Sequence, residues 1–155
     1  MTLTLFIYLL SVACWLGGIV FFSIFSAPVI FSVLTRAEAG KLVSGIFPRY
    51  YLLGYIAGTI AVVLALYFCL VWRVRLWWIL SAVALAIALG LTVYAGAIVR
   101  PGIDAIHIVA EEPNPDAARK AEFDRLHRLS VLLNGGVMVL NLLALLSTAA
   151  ALSQQ

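Results

Sequence analysis

Leu76–Val99, LWWILSAVALAIALGLTVYAGAIV, runs for 24 residues without a charge. A helix needs about 20 apolar residues to cross roughly 30 Å of hydrocarbon, and this stretch supplies them. Its apolar residues are continuous, whereas a barrel strand alternates apolar and polar over about ten positions, so a helix is predicted. Three more uncharged runs surround it: Thr2–Thr35 (34 residues), Tyr50–Trp72 (23) and Leu129–Gln155 (27). The fold expected is an all-α, integral membrane four-helix bundle forming a single domain over residues 1–155.

Composition agrees. With 65% hydrophobic residues, 11% charged residues and a mean hydropathy of +1.11, the chain is too apolar to cover a soluble core with polar surface. Met1–Cys14 is apolar but lacks a basic opening, so it is read as part of the first span rather than as a cleaved leader.

Lys and Arg favour the cytoplasmic side of a bilayer. The two connections on one side carry Arg36, Lys41, Arg49, Arg100, Arg119, Lys120, Arg125 and Arg128, against Arg73 and Arg75 opposite. This predicts loops one-two and three-four in the cytoplasm and both termini outside, in a multi-pass protein of the bacterial inner membrane. The pI near 9.1 calls for no nucleic acid, since the charges lie at membrane boundaries where anionic headgroups suffice as partners. Cys14 and Cys69 fall inside spans and read as buried thiols, with no CxxC spacing. Trp72, Trp77 and Trp78 suggest an outer interfacial belt, and Trp15 a packing residue.

Along the chain, Ala27-Pro28 predicts a kink in the first span. Arg36 to Phe47 has the pattern of an interfacial amphipathic helix, ended by Pro48. Gly54 and Gly58, continued by Ala61 and Ala65, form a small-residue stripe on helix two. Ala84, Ala88, Thr92 and Gly96 form another on helix three. Such stripes imply close packing, within the chain or between copies in a homo-oligomer. Helices three and four should project as a cytoplasmic hairpin turning at Pro113-Asn114-Pro115, with Asn114 as a helix cap.

The polar residues of the last span fall in register. At about 100° per residue, His127, Ser130, Asn134, Met138 and Asn141 lie within roughly 80° of one another. Asparagine inside hydrocarbon is costly unless paired, so this stripe should face other helices. Arg49 and Arg100 end their spans at the same level as His127, so a cytoplasmic-side polar pocket of Arg49, Arg100, His127, Ser130 and Asn134 is expected to bind a ligand. The competing reading is hydrogen bonding that fixes packing. Leu132, about 160° from His127, should face lipid.

Arg100, Asp104 and His107 also share a helix face. In a tight hairpin His107 would sit about 9 Å beyond His127, and no His or Cys cluster has zinc spacing, so no metal site is expected. No Asp or Glu lies within a span, which leans against an enzyme.

The strings Trp15-Leu16-Gly17-Gly18, Ala27-Pro28 with Phe31, Ala39-Gly40, Phe47-Pro48-Arg49-Tyr50-Tyr51, Arg100-Pro101 and FDRLHRLSVLLN (residues 123–134) resemble the transmembrane protein 205-like family nearly end to end. The biochemical role of that family is unsettled; its eukaryotic member is linked to platinum-drug resistance and trafficking, which the resemblance carries over as an expected tolerance role. A looser similarity reaches CopD copper-resistance proteins and HemJ-type oxidases. The histidine those proteins carry in their first helix is missing here, so no cofactor is predicted, with haem as the exception the redox reading would need.

Three functions are compatible with these residues. The leading one is a small transport or metal/xenobiotic-tolerance protein. The alternatives are a structural or assembly subunit with membrane-protein partners, and a haem- or quinone-linked redox enzyme using His127.

Overall fold

The computed structural model describes residues 1–72, 75–110 and 117–154. They form four long helices, each apolar enough along its length to cross a membrane. Helix α1 is Thr2–Val33, α2 is Arg36–Val71, α3 covers 75–110 and α4 is Ala117–Ser153. The protein is therefore a multi-pass integral membrane protein. Large apolar side chains that a soluble protein would hide face outward, among them Leu70 at 78% exposed and Leu132 at 68%.

Thr35 starts α2 with a capping box. Its hydroxyl accepts from the Glu38 N–H, while its own N–H donates to the Glu38 carboxylate. The helix then runs through Pro48 to Val71 without a break, so the interfacial segment and the second span are one element rather than two. Proline removes a helix hydrogen bond, and the substitute partner that lets α2 continue is part of the site described below.

Packing runs in sequence order, α1 on α2, α2 on α3 and α3 on α4, with α1 also touching α4 to close the bundle. Both small-residue stripes are consumed inside this packing. Gly58 faces the Trp15 ring on one side and Leu89 on the other, where an added Cβ would come within 3.0 Å of each. A Cβ on Gly96 would clash with Tyr51 and with the Tyr55 hydroxyl. These glycines are what let α2 approach α1 and α3 so closely.

At the end carrying the α2–α3 connection, Tyr8, Phe68 and Trp78 form an aromatic core, with Tyr8 edge-on to both other rings at 5.8 and 5.6 Å between centroids. Trp78 is fully buried and Trp72 packs edge-on against it, so these two do not form the surface belt their position suggests. The Tyr8 hydroxyl lies 2.7 Å from Ser81 Oγ and 2.8 Å from Thr148 Oγ1, which ties α1, α3 and α4 together. Cys14 is exposed on the outer face and only Cys69 is partly covered, contrary to two buried thiols. The expected turn at Pro113-Asn114-Pro115 lies outside the described residues.

Candidate functional site

Three prolines meet at the opposite end of the bundle. Before Pro28, α1 widens into a π turn at Phe21–Ser26, and the Ala27 N–H reaches back five residues to the Phe22 carbonyl. Before Pro101, α3 does the same at Ala95–Val99, with the Arg100 N–H on the Ala95 carbonyl. The wider turn accommodates a proline that has no N–H and whose ring crowds the preceding carbonyls. Side-chain contacts put these irregular turns at one level, since Gly96 of the α3 turn packs against Tyr51. Phe22 packs on Phe47 and Tyr50, the neighbours of Pro48, with centroids 5.4 Å apart in each case.

Pro48 is accommodated differently. Its missing N–H would have bonded the Ser44 carbonyl, four residues back. That carbonyl instead accepts from Arg100 Nη2 at 3.1 Å. The same guanidinium pairs with Asp104 one turn later at 3.3 Å, and Asp104 accepts from the Ser44 hydroxyl at 3.2 Å. Among the described residues, Arg100 Nε is buried without a partner.

Beside this cluster, the Ser130 hydroxyl approaches that of Tyr51, and Arg100 and Asp104 lie close enough to act on Tyr51 electrostatically. The Tyr50 hydroxyl donates to Asn134 Oδ1 at 2.9 Å, joining α2 to α4 inside the bundle. Tyr50 and Tyr51 meet edge to face at 5.3 Å. Just beyond them a small cavity, about 10 Å³, is lined by Trp15, Gly18, Tyr50, Gly54, Thr92 and Asn134.

The structure thus links Ser130 and Asn134 to the Arg100 end of the bundle through Tyr51 and Tyr50, and leaves two of the five expected residues outside. Arg49 is exposed, its Nη1 turned back on the Gly45 carbonyl at 3.1 Å. His127 is exposed and stacks parallel to Phe123, centroids 6.1 Å apart. The reason is helical phase. Arg49 lies about 140° from Gly54, on the face opposite the packed stripe, whereas Tyr50 and Tyr51 flank that stripe within about 60°. On α4 the buried residues are Ser130, Val137, Asn141, Ala144, Ser147, Thr148 and Ala151. That face is centred roughly 80° from His127. Met138 is half-buried, and the Asn141 side chain donates to the Val137 carbonyl at 2.9 Å while its Oδ1 is buried without a partner among the described residues.

Sequence reasoning missed Tyr50, Tyr51 and Tyr8. Their hydroxyls are polar groups in otherwise apolar spans, and the phase of the glycine stripe marks the first two. His127, the histidine the redox reading would use, lies on the outer surface, and the His107 side chain is outside the described residues. Among the described residues no three His, Cys, Asp or Glu side chains are placed to share a metal ion.

No curated protein and no solved structure matches the chain. A family profile does, over residues 10–112, from the middle of α1 to the end of α3, leaving the Ser130 and Asn134 side of the site beyond the match. That match covers about two thirds of the chain, and the protein belongs to the DUF4149 family, a domain of unknown function.

Proposed function

We propose that the protein handles a small polar or ionic solute at the Arg100 end of the bundle, as a transport or metal/xenobiotic-tolerance protein of the bacterial inner membrane. The carrying observation is where local order breaks. Three of the four helices hold a proline at one level, two of them with a π turn, and the polar residues converge there, while the half holding Tyr8 and Trp78 is regular. Pure scaffolding gives no reason to concentrate irregular turns around a half-buried arginine, whereas a site that must bend or open does.

The eight-to-two count of basic residues supports a cytoplasmic position for this end, among anionic headgroups. The likeness of the quoted motifs to the transmembrane protein 205-like family supports the tolerance role. Association into a homo-oligomer would use the outward apolar faces, because the glycine stripes are already occupied.

A structural or assembly subunit is the second reading. It is favoured by a specific fact: most polar groups at this end already partner one another across helices.

Thermal melts of the purified protein against small inorganic and organic ions separate the two. In Arg100→Gln combined with Pro48→Ala, the Ser44 carbonyl regains its helical partner, so the fold is kept while the guanidinium is lost. The solute-handling reading expects at least one ion to raise the melting temperature of the native protein and not of this variant. If every stabilising ion acts equally on both, or none stabilises, the structural reading takes its place.

A further inference from the structure

The cavity between the four helices has a chemistry of its own. Trp15 is 2% exposed, and its indole nitrogen lies 3.2 Å from where a Cβ on Gly54 would sit, at the cavity wall. Among the described residues the Trp15 N–H has no hydrogen-bond acceptor, and unlike the Trp72 and Trp78 nitrogens it is not sealed away from a molecule the size of water. Across the void, Asn134 spends its oxygen on the Tyr50 hydroxyl, which leaves the amide nitrogen with hydrogens to donate. Thr92 donates its own hydroxyl hydrogen to the Ala88 carbonyl, so its oxygen can still accept. Each helix therefore lends the lining one residue that carries a polar group, Trp15 from α1, Tyr50 from α2, Thr92 from α3 and Asn134 from α4, with the Thr92 methyl against the Gly54 Cβ position.

We propose that this cavity binds a single small neutral molecule with both donor and acceptor capacity, and that water is its occupant in the resting protein. The volume, about 10 Å³, is the room one water needs, and two to four polar partners are what holds a buried water in place. The water oxygen accepts from the Trp15 N–H and the Asn134 amide, and its hydrogens go to the Thr92 and Tyr50 oxygens. Bound in this way it completes a polar bridge across all four helices and satisfies the indole without a direct contact. Glycine at position 54 keeps the space open, since a side chain there would enter between Thr92 and Trp15. The inference does not depend on whether the bundle carries a solute.

The test is water-to-amide cross-relaxation by NMR on protein labelled at the tryptophan indoles and held in lipid nanodiscs. The Trp15 resonance is identified by its loss in Trp15→Phe. A cross-peak from water is expected at the Trp15 indole and not at Trp72 or Trp78, whose N–H groups are buried without a partner among the described residues. Gly54→Ala should fill the void and abolish the Trp15 cross-peak; should that variant not fold, Asn134→Leu, which removes a ligand and intrudes from α4, takes its place. Gly17→Ala, at a glycine with nothing packed against it, should leave the peak unchanged. Absence of the peak in the native protein, equal peaks at all the indoles, or persistence of the peak in a folded Gly54→Ala each overturns the proposal.

Discussion

Arg100 is where a single residue explains the most. A guanidinium at the edge of hydrocarbon is costly unless it is partnered or reaches water, and this one is committed to the carbonyl that Pro48 frees and to Asp104. Arg100→Leu removes both partners at once and should destabilise the protein by about 1–3 kcal/mol, the cost of leaving buried polar groups unmatched. Pro48→Ala in the same chain supplies a backbone N–H to Ser44 and should recover part of that loss. Reversible unfolding in mixed micelles measures both, and additive losses would show that the two residues do not share a carbonyl. At the other end, Tyr8→Phe deletes two interhelical hydrogen bonds, each worth roughly 0.6 kcal/mol inside membranes, so a loss of about 1 kcal/mol is expected. Leu132→Ala, on the lipid-facing side, should change stability little. At this scale the sequence was partly legible. Arg100, Ser130 and Asn134 could be found as polar residues in or bordering apolar spans. Arg49 and His127 could not be sorted from them, because the buried face of α4 is set by Val137 and Ala144 as much as by its polar residues. The tyrosines were hidden by their rings, which read as ordinary apolar filling until the rotation of each helix is known.

Each helix's existence follows from its uncharged run, and its irregularities follow from its prolines, but the kind of irregularity does not. Pro28 and Pro101 produce π turns, whereas Pro48 sits in continuous helix because another helix lends it a donor. A tertiary partner is not visible from one helix's sequence, which is why Pro48 reads there as a stop. Pro101→Ala should let α3 regain regular i to i−4 bonding, and amide exchange between Ala95 and Arg100 should slow; unchanged exchange would mean that packing, not proline, sets the turn. The glycine stripes read as close packing from sequence alone, and only the structure assigns them to the chain's interior. Gly58→Leu must displace Trp15 or Leu89 and should lower the stability of the monomer, with little direct effect on association. A variant that stays fully stable but loses an oligomer would place Gly58 between copies instead.

Seen whole, the bundle has two dissimilar halves. One is regular and closed by aromatic rings and a three-hydroxyl knot; the other gathers the prolines, the wide turns, the ion pair and the internal cavity. The division into four spans was legible in the uncharged runs, and the asymmetry of the halves in the placement of Pro28, Pro48 and Pro101. What these residues form together depends on the order in which four helices pack. The central claim is that the Arg100 half opens toward the cytoplasm, and thiol labelling in inside-out vesicles tests it most directly. With Cys14 and Cys69 replaced by serine, Asn134→Cys and Thr148→Cys are each exposed to a small membrane-impermeant thiosulfonate reagent. The account predicts that position 134 is modified from the cytoplasmic side and position 148 is not. Labelling of neither residue in a folded protein, or of 148 in preference to 134, would contradict it.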